Sequence, residues 1–555
     1  MSQNLLGFDQ VVALSQQTIN SQLSYIWSRS FAGFRFSLTE DADDYINATT
    51  AAPVINVHLP GNQDIGEFDN GKVLLIFTLT GGSAQGHYGG GIIQFPDLTG
   101  YTVQYGVNLA AIDPLDPDAG VSVSDSVQQQ LDAISANIYA ISSVILDIDN
   151  IQYTDPDCIV YDPDGTEIPQ LETVLESFMT SVKTAAGGNP FLLVFNRNLL
   201  PDASPSAGLQ AFDPTSAAYR TELVGNTMAD NDLNSVNLMI MTQNNTAPSL
   251  SSTATYPVNL GPSDSSSDGV MHINADQFNT DYLYNTVTRA ISDSMQHALI
   301  QCWNDATTNA TSPSFQDQNF FSPTSTGWHF HWAHKDGTPG DDDTYGSSPV
   351  VGSDSGISDI HQITQIYCDC SINFPTSSAD GTSLELAVTG DIKVYGDWYE
   401  VIITWVHDGQ VLVGRDFTAT IKIEPGASGS GAPGALSVTF NDLNKTTGMV
   451  TNEKGKDFHP PDDSPHVWEN AGGEILDAIA SVFGQSTFKD ISNDFESNAD
   501  TAINSFFSDF TSSATAALSG LSSSVIMPTG DAYLFTTAQV DNEGNPKFTF
   551  TINSF

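Results

Sequence analysis

The sequence predicts an α+β protein in which long amphipathic helices lie against antiparallel sheet, and three observations predict it. Apolar residues recur every three or four positions over 8–27 and again over 281–303, the period of a one-sided helix. Stretches such as DWYEVIITWVHDG and DFTATIKIEP alternate apolar with polar residues, the period of an antiparallel strand with one wet face. Clusters of Gly, Pro, Asn and Asp punctuate the chain between these pieces.

Taken in order, the first element is the stretch GFDQVVALSQQTINSQLSYIWSRSF. Phe8, Val11, Val12, Ile19, Leu23, Ile26 and Trp27 form its apolar stripe, and glutamines fill the other face. It has no basic start and no unbroken apolar run, so it does not read as a cleavable signal. A membrane-surface helix carries Lys and Arg on its polar face. This face is neutral, which favours a core helix over a membrane-surface or partner-binding one. β-rich sequence follows in PVINVHLPG, GKVLLIFTLTGG, GGIIQFP and YTVQYGVNL. SDSVQQQLDAISANIY reads as a helix capped by Ser124 or Asp125, and SSVILDIDNIQY as the next strand. IPQLETVLESFMTSVKTAAGG is an amphipathic helix closed by Gly187 and Gly188, followed by the strands NPFLLVF and VNLMIMT.

A Ser/Thr/Asn-rich tract then suggests a division into an N-terminal half, 1–243, a loop or linker, 244–270, and a C-terminal half, 271–555. The 555 residues exceed one compact core, so two domains or one elongated one are expected. The second half opens with TDYLYNTVTRAISDSMQHALIQCW, whose stripe is Leu283, Val287, Ile291, Met295, Leu299 and Cys302. Strands return from GWHFHWAH to ALSVTFNDL, and NDFESNADTAINSFFSDFTSSATAALSGL is helical before a last β segment.

Charge narrows the function. Against 66 Asp and Glu stand 16 Lys and Arg, a formal net charge of −50. Such a field repels nucleic acid and anionic bilayers. No apolar run approaches the ~18 residues needed to cross a bilayer as a helix. The chain therefore reads as soluble, either cytoplasmic or exported without a cleavable Sec signal. Its four cysteines, Cys158, Cys302, Cys368 and Cys370, are too scattered for a disulfide framework.

The sharpest local cluster is GWHFHWAHKDG. His329 and His331 share a strand face with His334 close behind, a spacing suited to Zn²⁺; Phe330 and Trp332 make it equally a plain aromatic strand. CDC at 368–370 sets two thiols on one face, with no second pair to complete a site. DPDG at 162–165 and DDD at 341–343 lack the frame of a calcium loop, and GGSAQGHYGGG lacks the Lys of a phosphate loop. No catalytic motif and no cofactor signature emerges, so a non-enzyme is expected, with a hydrolase of dispersed site as the third reading.

Three stretches carry a family resemblance. GFDQVVALSQQTINSQL, VNLMIMTQNN and VIMPTGDAYLFTTAQV resemble the OrfX-type accessory proteins encoded beside clostridial neurotoxin genes, relatives of the tubular lipid-binding (TULIP) superfamily. The resemblance implies a bent sheet wrapping a long helix, an apolar groove that takes lipid, and a protein partner in a toxin-like complex. Mapped onto the two amphipathic stripes, the groove would be lined by Val12, Ile19, Leu23, Leu283, Val287, Ile291 and Met295. The alternative is a structural or surface interaction protein whose helices are simply core. One consequence follows from charge alone: in vesicle flotation at neutral pH the protein should stay away from anionic vesicles. Strong flotation there would defeat the charge argument.

Overall fold

The structure is a computed structural model. It describes residues 5–39, 43–57, 71–88, 90–112, 139–199, 212–224, 231–248, 260–263, 265–288, 321–335, 358–402, 405–426, 435–453, 487–518, 521, 525–526 and 533–552. These form three antiparallel sheets with few helices, one sheet curling strongly into a half-barrel. One apolar core cluster runs through all three sheets.

The first sheet is built around Gln10–Ser15, which pairs with Ser235–Thr242 on one side and Gly269–Ile273 on the other. Pro214–Glu222 extends it at one edge, and Pro546–Ile552 then Tyr533–Val540 at the other. Strands from both sides of the 244–270 tract thus share this sheet.

The single helix expected over 8–27 is corrected here. Residues 10–15 are a strand buried on both faces, and the helix is Gln16–Ser30. Ser15 divides the two. Its extended backbone ends the strand, and its hydroxyl accepts the Thr18 N–H (3.1 Å), capping the helix. Val12 faces the main core, whereas Val11 packs with Phe8, Met239, Met241 and Leu260 on the opposite side. A strand covered on both faces is apolar throughout, so its residues mimic a helical stripe when read by spacing.

The second sheet runs Arg35–Thr39, Tyr45–Thr50, Lys72–Tyr88, Thr102–Ile112, Tyr139–Leu146, Leu192–Leu199 and Val525–Ile526, with three short strands added alongside. Helix Gln16–Ser30 and helix Leu175–Ala186 fill one side of it. Trp27 stacks on Phe31 at 4.2 Å and meets Phe77, while Phe178 meets Phe36 and Phe77, each at 5.1 Å. The helix expected over 168–188 comes as two pieces, Pro169–Glu172 and Leu175–Ala186, and Gly187 closes it in the left-handed conformation (φ 75°). The helix expected from Ser124 or Asp125 lies outside the described residues.

The third sheet carries long strands: Ser358–Asn373, Leu384–Ile402, Trp405–Pro425 and Leu436–Glu453, with Gly327–Lys335 and Phe321–Pro323 at its other edge. Helix Thr487–Leu518 lies on it, burying Ile503, Phe506, Phe507 and Phe510. Phe507 stacks on Phe440 (5.0 Å), and Asp500 pairs with Arg415 (3.0 Å) and Lys445 (3.2 Å). Tyr282 Oη donates to the Ala514 carbonyl (2.8 Å), tying the helix to the segment beside the first sheet. The expected helix over 281–303 is also corrected: the described part is a π-helical segment, Gln277–Thr288, and residues 289–303 lie outside the described residues. No helix among the described residues is long and apolar enough to cross a membrane, which says nothing of a β-barrel.

Two predictions test this packing. Ile19, Leu23 and Trp27 are nearly inaccessible (1, 2 and 7% exposed), and each such burial contributes roughly 1.5–3 kcal/mol before entropy. Leu23→Asp should therefore lower stability by several kcal/mol, on the order of 3 or more, while the exposed Gln17→Asp should leave the thermal melt nearly unchanged. A chain lacking residues 1–31 that melts like the full-length protein would show the opening segment to be an appendage.

The second concerns Glu222, buried at the edge of the first sheet. Its carboxylate accepts Asn237 Nδ2–H (2.8 Å) and the Leu260 N–H (3.0 Å), yet burial pushes its pKa up to about 7. The folded carboxyl thus holds its proton more tightly than the unfolded one. Its stabilising contribution is fully present below the unfolded value of about 4.3 and is lost as pH rises through about 7, on the order of 3–4 kcal/mol in all. Thermal melts should therefore fall between about pH 5 and 7, and Glu222→Gln should flatten that slope. An unchanged slope in the variant would remove Glu222 as its source.

A candidate ligand cleft

The strand Lys72–Tyr88 changes partners midway. Its first half pairs with Thr102–Ile112, and its second half with Tyr45–Thr50 and Gly91–Phe95. The change falls after Thr78, and the register slips between Leu79 and Gly81, opposite Thr50 and Thr49. Gly82 has φ +126°, and a Cβ there would sit 2.1 Å from the Asn47 carbonyl oxygen, so only glycine fits. Past this bulge the strand runs out as one arm of a hairpin.

Between that hairpin, the adjoining strand Tyr45–Thr50 and the helix Pro169–Glu172 lies a cleft of about 330 Å³. Leu38, Ile46, Ala84, Phe95, Leu171 and Val174 form its apolar wall, while Asp44, Gln85, His87, Gln170 and Thr173 supply polar groups. Ile46, Leu171 and Val174 also line a slot of about 10 Å³ that continues inward to Phe36 and Phe178. Every residue around the slot is apolar. A space of that size and lining stays dry, so the cleft floor runs into the aromatic core without a water-bound barrier.

The polar side of the cleft is ordered by hydrogen bonds. Asp44 Oδ1 accepts the His87 N–H (2.7 Å), and its Oδ2 lies 2.9 Å from His87 Nδ1. These bonds, the side-chain one foremost, hold the Asp44 carboxyl below the usual carboxylate range. Gln85 Nε2 donates to Asp43 Oδ1 (3.3 Å), and Gln85 Oε1 accepts from Gln94 Nε2 (2.7 Å). No Lys or Arg is among the described residues that line the cleft. Tyr88 and Ile92, about half exposed, stand at the end of the hairpin. This is a concave site with an apolar floor and an acidic lip, suited to holding an amphiphile.

Sequence reasoning missed this cleft. GGSAQGHYGGG fails as a phosphate loop, yet its Ala84, Gln85, Gly86, His87 and Tyr88 line one wall. Four of the residues expected to line a groove lie away from this cleft. Val12, Ile19, Leu23 and Leu283 are 0–2% exposed and packed into the continuous core. Val287 lies in the π-helical segment, and Ile291 and Met295 lie outside the described residues.

The other candidates resolve locally. His331 Nδ1 and His329 Nε2 lie 2.8 and 3.3 Å from the single oxygen Asp369 Oδ1. His334 lies further along the same strand. The described residues contain no group of three His, Cys, Asp or Glu side chains that could hold a metal ion. Cys368 and Cys370 are buried and form no disulfide, and burial pushes the Cys370 thiol far above its ordinary range. Cys302 and Asp341–Asp343 lie outside the described residues. DPDG is a turn: Asp162 Oδ1 accepts the N–H groups of Asp164 and Thr166, with Gly165 left-handed (φ 78°).

Comparison with known proteins returns no matching family model and no matching curated protein. Among solved structures the chain is similar to P47 from Clostridium botulinum A2, at 10% identity and a TM-score of 0.42, over 99% of this chain and 98% of that one. It is likewise similar to P47 of Clostridium botulinum E1, at 10% identity and a TM-score of 0.41, over 99% of both chains. A lipopolysaccharide binding protein aligns at 11% identity and a TM-score of 0.30, again over 99% of both. All three similarities run along the whole length of the chain.

Proposed function

We propose that the protein is a non-enzymatic, TULIP-like binding protein that takes lipid or another apolar ligand and serves as an accessory component of a toxin-like complex. The observation that carries the reading is the cleft, whose apolar wall opens to solvent at one end and abuts the dry slot above Phe36 and Phe178 at the other. The sequence resemblance supports the same class. No nucleophile is paired with a base among the cleft's described lining residues, and the polar groups there are arranged to orient a ligand.

A second reading, a structural or surface interaction protein without a ligand, is favoured by one observation: Val12, Ile19, Leu23 and Leu283 pack at 0–2% exposure. Native mass spectrometry after mild extraction separates the two. Under the binding reading, a discrete added mass that disappears on delipidation accompanies the protein. A clean apo mass in several lipid backgrounds would leave the second reading standing.

A further inference from the structure

The binding reading leaves open what kind of molecule the cleft admits, and the following inference rests on that reading. We propose that the cleft takes a single-chain amphiphile with a cationic head, an alkylammonium, its chain lying along Ile46, Leu171 and Val174 and its amine paired with Asp44.

Size sets the first limit. At about 330 Å³ the cleft lies at the low end of the ~300–1,000 Å³ typical of small-molecule sites. One alkyl chain fits it, and a two-chain lipid does not. The walls set the second. An apolar chain entering past Ala84 would meet Leu171 and Val174 and then the slot toward Phe178, without displacing an ordered polar group.

Charge sets the third. Asp44 lies in the lining and Asp43 is hydrogen-bonded to the lining residue Gln85, while among the described lining residues the basic side chain is His87. The whole chain carries −50, and a concave surface concentrates such a field, raising the local concentration of cations. A carboxylate or sulfate head would face Asp44 across that same field. The His87 side-chain contact with Asp44 is displaceable: the His87 and Asp44 side chains are 52 and 29% exposed, and pairs of that kind contribute about 0–1 kcal/mol. An ammonium brings three donors and a permanent charge to the same oxygen.

The test is calorimetric titration of the full chain with three probes that share one chain length: octylammonium, octanol and octanoate, at neutral pH and low ionic strength. Octylammonium should bind about fivefold more tightly than octanol, with octanoate weakest, and added salt should narrow the gap. Asp44→Asn should bring the amine down to the affinity of the alcohol. Thr173→Trp, at an exposed lining position, should abolish binding of all three while the thermal melt shows the chain folded; Ile93→Trp serves the same purpose if that variant misfolds. If all three probes bind alike, or octanoate binds best, the cationic preference is overturned and the apolar-ligand reading stands. If none binds, both are overturned. If folded Thr173→Trp or Ile93→Trp still binds the amine in full, the site lies elsewhere and the proposal fails.

Discussion

The fold depends on a six-residue strand that no solvent reaches. Gln10–Ser15 donates and accepts hydrogen bonds on both edges, and apolar layers cover both of its faces. Its two neighbours, Ser235–Thr242 and Gly269–Ile273, lie more than two hundred residues away along the chain. Pro546–Ile552 closes on the second of them. The first sheet thus gathers the beginning, middle and end of the sequence. Such long-range pairing is entropically costly to form, and the doubly covered strand supplies the buried area and the backbone bonds that offset the cost.

The other elements are placed from that strand. Ser15 turns it into the helix Gln16–Ser30, whose Ile19, Leu23 and Trp27 seed the core under the second sheet. The side chains beside the helix start extend the tie: Gln16 Oε1 accepts the Val57 N–H (2.8 Å), and Thr18 Oγ1 donates to the Asp268 carbonyl (2.8 Å). At the far edge, Gln539 Nε2 donates to the Gly381 carbonyl (2.7 Å) and the Val540 N–H donates to Ser377 Oγ (2.8 Å), joining the first sheet to the third. The cleft sits at the opposite margin, where the long strand Lys72–Tyr88 breaks register just before its paired glycines. The hairpin beyond the break has solvent on one side, which is why a cavity forms there and not in the close-packed interior.

Acidity and scarce bases act together in this molecule. With 16 basic residues in the chain, Lys72, Arg415 and Lys393 are matched to specific carboxylates. Lys72 lies between Asp155 (2.8 Å) and Asp157 (2.7 Å), Arg415 faces Asp500, and Lys393 faces Asp391 (2.9 Å). Half-buried cations of this kind neutralise carboxylates that desolvation would otherwise penalise. The surface, the cleft lip included, keeps the excess negative charge.

The sequence by itself determined the mixture of helix and antiparallel strand, most strand positions, the helix before Gly187, the helical stretch containing Phe506 and Phe510, and the strongly acidic field. These are local or additive properties: alternation, capping and net charge are written in neighbouring residues. It misread the opening segment because apolar spacing alone cannot separate a helix stripe from a strand covered on both faces. Val11 and Val12 point to opposite layers only once Ser235–Thr242 and Gly269–Ile273 have closed around them. The cleft was illegible for the same reason. Asp44, the pair Ala84 and His87, and Leu171 come from three separate stretches, and only the bulge before Gly81 and the seat of helix Pro169–Glu172 bring them to one surface. Tertiary structure decided those juxtapositions, because they depend on which distant strands pair and not on the pattern within any one of them.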